Sequence, residues 1–518
     1  MTDRGVGCLA SPDMPNPFAG LPEPELVDVR DEAVSRPALE RFGEAVWEEA
    51  LDYLYTTAFE RPMRALPYPE MRRTFFGPSG EPAPPPADAA TSADVLSEFR
   101  RRVAPWVFNT QHRGSYSYFT PPPLPMSIAG EVLTQWVNQG VDVWAAGPVG
   151  ALVEEEVTTW VRTLMGFGQG SWAVLTSGGV MANIMALTVA RDVHLAGLLE
   201  MREPPRGSAL EGVRVYASDQ AHFSIGRALD VLGFAPDTLR IVRSDERFRL
   251  QAAPVARAVA EDRASGLVPL AIAAVAGSTN TGSVDATGEL ADLAEREGLW
   301  LHVDAAYGGA AALSERISPR VPDLVRADSV TIDPHKWLFQ PYDIGGLIVK
   351  RREDLQDTFH RTPEYYRHPK PEDAPLNWFE YSIEGTRRFR ALKLWLSWKQ
   401  LGTSGFARLI EHNVDLAAYL AARCREAPDL DVVPEEPELS VVCFRHVPDG
   451  LDGPRLDAYQ DRLQLALEAS GEAWVSTTKI RGATYLRAGI VNYLSTDADV
   501  DRMLETLRRL SPQAAAAD

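Results

Sequence analysis

Four short segments carry residues of types that could do chemistry. Residues 329–337, SVTIDPHKW, run an apolar stretch into Asp333 and Pro334, then His335 and Lys336. A lysine at the C-terminal end of a strand points into the crevice where open α/β sheets bind ligands, and partial desolvation there makes an amine nucleophilic. Residues 299–309, LWLHVDAAYGG, end a second apolar run in Asp304. Burying that acid is costly without a cationic partner: a protonated heteroaromatic nitrogen, an arginine or a helix N-terminus. Ala305, Ala306, Gly308 and Gly309 beside it are small enough for a flat group to lie against the backbone. Residues 174–183, VLTSGGVMAN, pass through Thr-Ser-Gly-Gly into an apolar helix. Such a turn can aim peptide N–H groups and the positive helix end at a phosphate. Residues 217–227, ASDQAHFSIGR, place His222 after a further apolar run, as a general acid/base or as a ring stacked on a cofactor. Each segment has a plain structural alternative: a solvated lysine, an N-capping aspartate, an ordinary turn, a hydrogen-bonding histidine. No GxxxxGK[ST] and no GxGxxG occurs, so nucleotide P-loop and dinucleotide fingerprints are absent.

The elements that must position these residues are legible in the apolar pattern. Between about 127 and 402, strand candidates fall at 172–175, 213–217, 239–242, 270–276, 299–303, 329–332 and 344–349, with helical segments such as 182–195 and 289–297 between them. Continuous apolar strands are covered on both faces, and their alternation with helices predicts an α/β domain with a largely parallel sheet. All four segments then sit at C-terminal strand ends and converge on one crevice. A phosphate cradle, an acid for a ring nitrogen, a stacking imidazole and an amine match pyridoxal 5′-phosphate held as a Schiff base on Lys336. Upstream, the first ~30 residues read as an extended arm. Leu39, Phe42, Val46, Ala50 and Leu54 recur at helical spacing, 77–90 (GPSGEPAPPPADAA) is a loop, and a helix is expected over 92–103. Downstream, 404–518 mixes helices with strand candidates at 439–444, 483–486 and 488–492, a smaller α+β domain. The division is therefore 1–125, 126–403 and 404–518.

Composition narrows the partners. A chain of 518 residues with 45% hydrophobic and 24% charged residues is globular and multidomain. Its net charge of -20 repels nucleic-acid phosphates and anionic lipid. No apolar run reaches the ~18–20 residues that cross a bilayer, and the N-terminus has no signal-like apolar stretch. Cys8, Cys424 and Cys443 form neither a disulfide framework nor a metal-site spacing. The expectation is a reduced, cytoplasmic protein that binds no metal, nucleic acid or membrane.

HRGSYSYFTPPP, TSGG, SDQAHFS, GSTNTGSVD, HVDAAYGG, DPHKW and RRFRALKLW follow one another between about residues 42 and 507. In this the chain resembles the group II pyridoxal-phosphate-dependent amino-acid decarboxylases, especially the aromatic-L-amino-acid decarboxylase branch. The resemblance implies the fold-type I, aspartate-aminotransferase-like architecture: a large seven-stranded, mostly parallel sheet domain, a small C-terminal domain, and an N-terminal helical segment that wraps the partner of a homodimer. It implies release of CO2 from an L-amino acid that displaces Lys336 from its Schiff base with the cofactor. Asp304 then matches the carboxylate on the pyridine nitrogen and His222 the stacked histidine. Thr279 lies near cofactor and substrate. Gly178, Gly179 and Val180 match the phosphate turn, with Asp333 and His335 beside it and Ala306 flanking the ring. Val180 replaces a usual small polar residue, and Gly147 a usual serine. Tyr118 and Phe119 match pocket-lining aromatics. A tyrosine in the loop 358–384 would protonate the substrate carbon. Tyr365, Tyr366 and Tyr381 are the candidates, while Trp378 stands nearest the expected position by counting. Asp142, in VNQGVDVW, matches a region that lines the neighbouring subunit's pocket. There it could pair with a cation or bond a phenol or indole donor and would disfavour acidic substrates; a helix-end acid is the alternative. Tyrosine, tryptophan or dihydroxyphenylalanine-type substrates fit this reading. The rival readings are oxidative deamination to an aldehyde, decarboxylation of glutamate, diaminobutyrate or sulfinates, a cysteine desulfurase, and a non-catalytic binding protein.

Overall fold

The computed structural model describes residues 16–64, 66–361 and 376–515. It divides into two compact units, Met1–His112 and Arg113–Asp518.

The first unit holds the helices Glu32–Asp52, Tyr68–Phe76 and Ser92–Arg102. Asp31 caps the first by accepting from the Ala33 N–H at 3.0 Å, and Thr91 caps the third by accepting from the Asp94 N–H at 3.2 Å. Buried Glu49 takes the Arg100 guanidinium at 2.9 Å, tying those helices together. Little of the first helix's apolar surface is covered: Val34, Val46 and Trp47 are exposed.

The second unit is built on two sheets. Strands β1 (Trp172–Thr176), β2 (Val213–Ser218), β3 (Leu239–Val242), β4 (Val268–Val275), β5 (Trp300–Asp304), β6 (Ser329–Ile332) and β7 (Gly345–Val349) form the larger, in the order β1-β7-β6-β5-β4-β2-β3. Only β7 runs against its neighbours; the β2–β3, β2–β4, β4–β5 and β5–β6 pairings are parallel. Four of these strands, β1, β5, β6 and β7, are buried along their whole length, as expected of strands sandwiched between helices. With β7 alone reversed, the C-terminal ends of the other six lie along one edge.

The smaller sheet, β8 (Leu430–Val433), β9 (Val441–His446), β10 (Ser476–Ile480) and β11 (Ala483–Gly489), is antiparallel, in the order β10-β11-β9-β8. Two expectations change here. The candidates at 483–486 and 488–492 are one strand that ends at Gly489. β8 and β10 did not stand out in the sequence because they are only partly buried, and STTKI has no apolar run. The helix expected over 182–195 is regular over Gly179–Val189 and widens to π-type turns over Ala190–Leu195. The helix Ala391–Glu426 packs on β8 and β9 of the smaller sheet and breaks at Gly402 (φ 64°), next to the boundary expected at 403/404.

Candidate active site

The C-terminal strand ends enclose a cavity of about 380 Å³. It is lined by Gly178, Gly179 and Val180 after β1, His222 after β2, Thr279 after β4, Asp304 and Ala306 at the end of β5, and Asp333, His335 and Lys336 after β6. Ten of the residues singled out in the sequence therefore meet in one pocket.

Lys336 is held from both sides. Its Nζ lies 3.1 Å from Asp333 Oδ2 and 6.0 Å from the centroid of the Phe119 ring. The next residue, Trp337, is fully buried, and its indole N–H donates to Asn413 Oδ1 at 3.0 Å, anchoring the turn to the long helix. His335 donates Nδ1–H to the Ile344 carbonyl at 2.6 Å, and burial pushes its pKa down. Asp304 is buried: Oδ1 accepts from the Ala306 N–H at 3.1 Å and Oδ2 from Asn183 Nδ2 at 2.8 Å. His222 is half-buried, and desolvation lowers its pKa.

The turn after β1 is kept open by missing side chains. A Cβ on Gly179 would sit 2.8 Å from Asp333 Oδ2, and one on Gly345 would sit 2.5 Å from Gly178 Cα. Asp333 Oδ1 is buried and has no hydrogen-bond partner among the described residues. The helix Gly179–Val189 points its first, unpaired N–H groups into the cavity. An open cradle at a helix N-terminus, a buried carboxylate on the floor, an imidazole and an amine fit a phosphorylated pyridine aldehyde. The fold and this pocket define a fold-type I pyridoxal-phosphate enzyme.

Relatives say which. The family described as pyridoxal-dependent decarboxylase conserved domain matches residues 79–447. An aromatic-L-amino-acid decarboxylase of Bacillus atrophaeus is 33% identical over 430 residues, 83% of this chain and 87% of that one. The cysteine sulfinic acid decarboxylase of Homo sapiens is 31% identical over 403 residues, 74% of this chain and 79% of that one. The crystal structure of Oryza sativa TDC with PLP and tryptamine superposes with a TM-score of 0.84 at 23% identity, covering 92% of this chain and 98% of that one. This chain belongs to the pyridoxal-dependent decarboxylase family. It is a pyridoxal 5′-phosphate-dependent amino-acid decarboxylase.

Not every candidate residue reaches the pocket. Phe119 is buried against Tyr307, ring centroids 4.2 Å apart, on the side of the amine. Tyr118 is exposed and packs edge-on to Trp474 instead. Asp142 is half-buried and does not line this chain's cavity. Tyr381 does not fit the proton-donor role: it is buried, stacks near Trp172, and its hydroxyl accepts from Arg352 Nε at 3.0 Å and Gln356 Nε2 at 2.8 Å. Tyr365 and Tyr366 lie outside the described residues. Cys424 and Cys443 are buried with their thiols pushed up to about 12, so neither supplies the thiolate a desulfurase needs. Among the described residues, no cluster could hold a metal ion, and no helix is long and apolar enough to cross a membrane.

The sequence reading missed two residues. Arg487, in β11, is buried, stacks 4.7 Å over Phe119, donates Nε–H to the Thr279 carbonyl at 2.6 Å, and leaves Nη2 without a partner among the described residues. Its signal was an arginine inside the apolar run YLRAG. Asn183 touches Asp304 directly, but an asparagine in the first turns of a helix carries no such signal by itself.

Proposed function

We propose that this chain decarboxylates an aromatic L-amino acid, and does so as a cytoplasmic homodimer. The observation that carries the substrate class is the wall beside the amine. Phe119, Tyr307 and Trp337 stack in series, with ring centroids 4.2 and 4.7 Å apart, and Phe119 faces Lys336 Nζ. Arg487 stacks on Phe119 but, like every other described arginine, does not line the cavity, so a flat apolar side chain meets no arginine in the lining. On the helix Pro125–Val137, Val132, Leu133, Trp136 and Val137 are exposed, an apolar surface that supports the dimer.

When bound, pyridoxal 5′-phosphate supplies an electron-accepting pyridinium ring for the electrons left when CO2 departs. Lys336 would hold it covalently at the aldehyde carbon. Residues 178–180 and the helix N-terminus would hold its phosphate, and His222 would lie on its ring face. Asp304 would hold a proton at the ring nitrogen, which is what keeps that ring an acceptor. The proton added at the substrate α-carbon would come from His222 or from Tyr365 or Tyr366.

A second reading is favoured by Arg487. Its Nη2, without a partner among the described residues, could take an anionic side chain such as a sulfinate. Assaying CO2 release from every common L-amino acid and cysteine sulfinate separates the two. Aromatic substrates should give the highest kcat/KM; a clear preference for an acidic substrate, lost in Arg487→Gln, would overturn the aromatic assignment. Ammonia and peroxide measured in the same reactions should be absent. Their stoichiometric appearance would show oxidative deamination instead.

A further inference from the structure

Behind the pocket floor lies a buried chain of hydrogen bonds whose direction can be worked out from donor and acceptor chemistry alone. Asp304 is a carboxylate and can only accept, so Asn183 must turn its Nδ2 toward it, at 2.8 Å. The second Nδ2 hydrogen goes to Ser224 Oγ, also at 2.8 Å. Having accepted from Asn183, Ser224 is free to donate its own hydrogen to His222 Nδ1 at 2.8 Å. The Ser224 backbone N–H also faces Nδ1, at 3.4 Å, so Nδ1 is an acceptor and the neutral ring carries its proton on Nε2.

The other end of the chain pins Asn183. Its Oδ1 accepts from Thr331 Oγ1 at 2.6 Å and from His302 Nε2 at 3.0 Å. Trp300 Nε1 can only donate, to Ser329 Oγ at 2.9 Å, which leaves Ser329 to donate to His302 Nδ1 at 2.9 Å. His302 is fully buried and its pKa is pushed down to about 4, so it is neutral at pH 7, as this pattern requires. Ser224, Asn183 and His302 are each at most 1% exposed, so no water competes for these bonds.

We propose that Asn183 is a positioning residue that couples the two cofactor-facing groups: one amide aims the Asp304 carboxylate and, through Ser224, locks His222 as its Nε2–H tautomer, with His302 as the strut that keeps the amide from flipping. This rests on the assignment of Asp304 and His222 to the cofactor. It adds that the acid and the imidazole do not orient independently, and that Ser224 is where they can be uncoupled.

Ser224→Ala removes the hydroxyl donor to Nδ1, leaves only the long backbone N–H contact at 3.4 Å, and keeps the Asn183–Asp304 bond in place. The full-length holoenzyme and its cofactor-stripped form, labelled with 15N at histidine and assigned by subtraction with His222→Gln, report the tautomer directly. In the unsubstituted protein, Nδ1 of His222 should be unprotonated and Nε2 protonated, with or without cofactor. In Ser224→Ala the ring should become a mixture of tautomers. Its protonation midpoint should rise by about 0.5–1 pH unit, because a bond to the neutral form is gone. The charges facing the ring, Asp304, Asp333, Lys336 and Arg227, are the same in both proteins. Turnover should fall about tenfold with KM changed less than about twofold. Asn183→Ala should lower turnover further than Ser224→Ala, because it also frees Asp304. A proton on Nδ1 in the unsubstituted protein, or an unchanged tautomer and turnover in Ser224→Ala, would overturn the coupling. Borohydride trapping on Lys336 in the same samples tests the cofactor assignment separately, since the histidine signals are read in the stripped protein as well.

Discussion

Gly345→Ala should damage cofactor binding although Gly345 is not expected to touch the cofactor. The added Cβ would stand 2.5 Å from Gly178 Cα, 2.7 Å from the Gly178 carbonyl carbon and 2.7 Å from Asp333 Oδ1. Carbon atoms settle at ~3.5–4.0 Å, so the phosphate turn must retreat by about 1 Å or β7 must shift. β7 is hydrogen-bonded on both sides, to β1 and to β6, so the turn should give way. Overpacking of this kind costs about 1–3 kcal/mol of stability. Losing one charge-assisted bond to the phosphate, worth about 1.5–3 kcal/mol, weakens the cofactor by roughly ten- to a hundredfold. Titrating the stripped enzyme with pyridoxal 5′-phosphate, followed by visible absorbance, measures the affinity, and thermal unfolding measures the strain. Gly197→Ala is the control: nothing lies within 4 Å of its Cβ, and both quantities should stay unchanged or improve slightly. A Gly345→Ala enzyme with unaltered affinity and melting temperature would refute the argument that missing side chains keep the cradle open.

Three further outcomes are expected. Asp304→Asn should retain bound cofactor but lower kcat by about 10²–10⁴, because the ring loses its anionic partner; turnover at the original rate would remove Asp304 from that role. His302 carries a folded pKa of about 4 against an ordinary value of 6.5, so the unfolded chain binds the extra proton between those values and stability falls as pH drops through that window. From pH 7.5 to pH 5 this amounts to about 2 kcal/mol. Denaturant unfolding should show a difference of that size between the unsubstituted protein and His302→Gln, and parallel pH dependences would contradict it. Tyr381→Phe should cost about 1–3 kcal/mol of stability by leaving Arg352 and Gln356 without their acceptor. Turnover per bound cofactor should be unaffected, and a fold-intact enzyme that no longer decarboxylates would return Tyr381 to the reaction.

The floor of the pocket was legible in the sequence because Asp304 and Lys336 each follow an apolar strand, and a buried strand that ends in a charge advertises a site. His222 and the Gly178–Gly179 turn were legible for the same reason, as polar or small residues at a strand's exit. Their convergence followed from one inference, that the strands are parallel, and β7 is the single exception among the seven. Arg487 escaped because β11 was legible only as two separate candidates, 483–486 and 488–492, and Arg487 falls between them. Asn183 escaped because its importance lies in four contacts to other elements, at 2.6–3.0 Å, and helical spacing says nothing about them. Tyr381 stood among three loop candidates because sequence position alone does not show burial: a tyrosine wedged beside Trp172 and under Arg352 has the contacts of a packing residue.

The account stands on one covalent attachment, and that can be read directly. Borohydride reduction of the enzyme as isolated, followed by proteolysis and mass mapping, should place the pyridoxyl group on the peptide containing Lys336. Lys336→Ala should carry no label and release no CO2. A label on any other lysine, or an active enzyme that takes up none, would contradict the assignment of this pocket and the chemistry built on it.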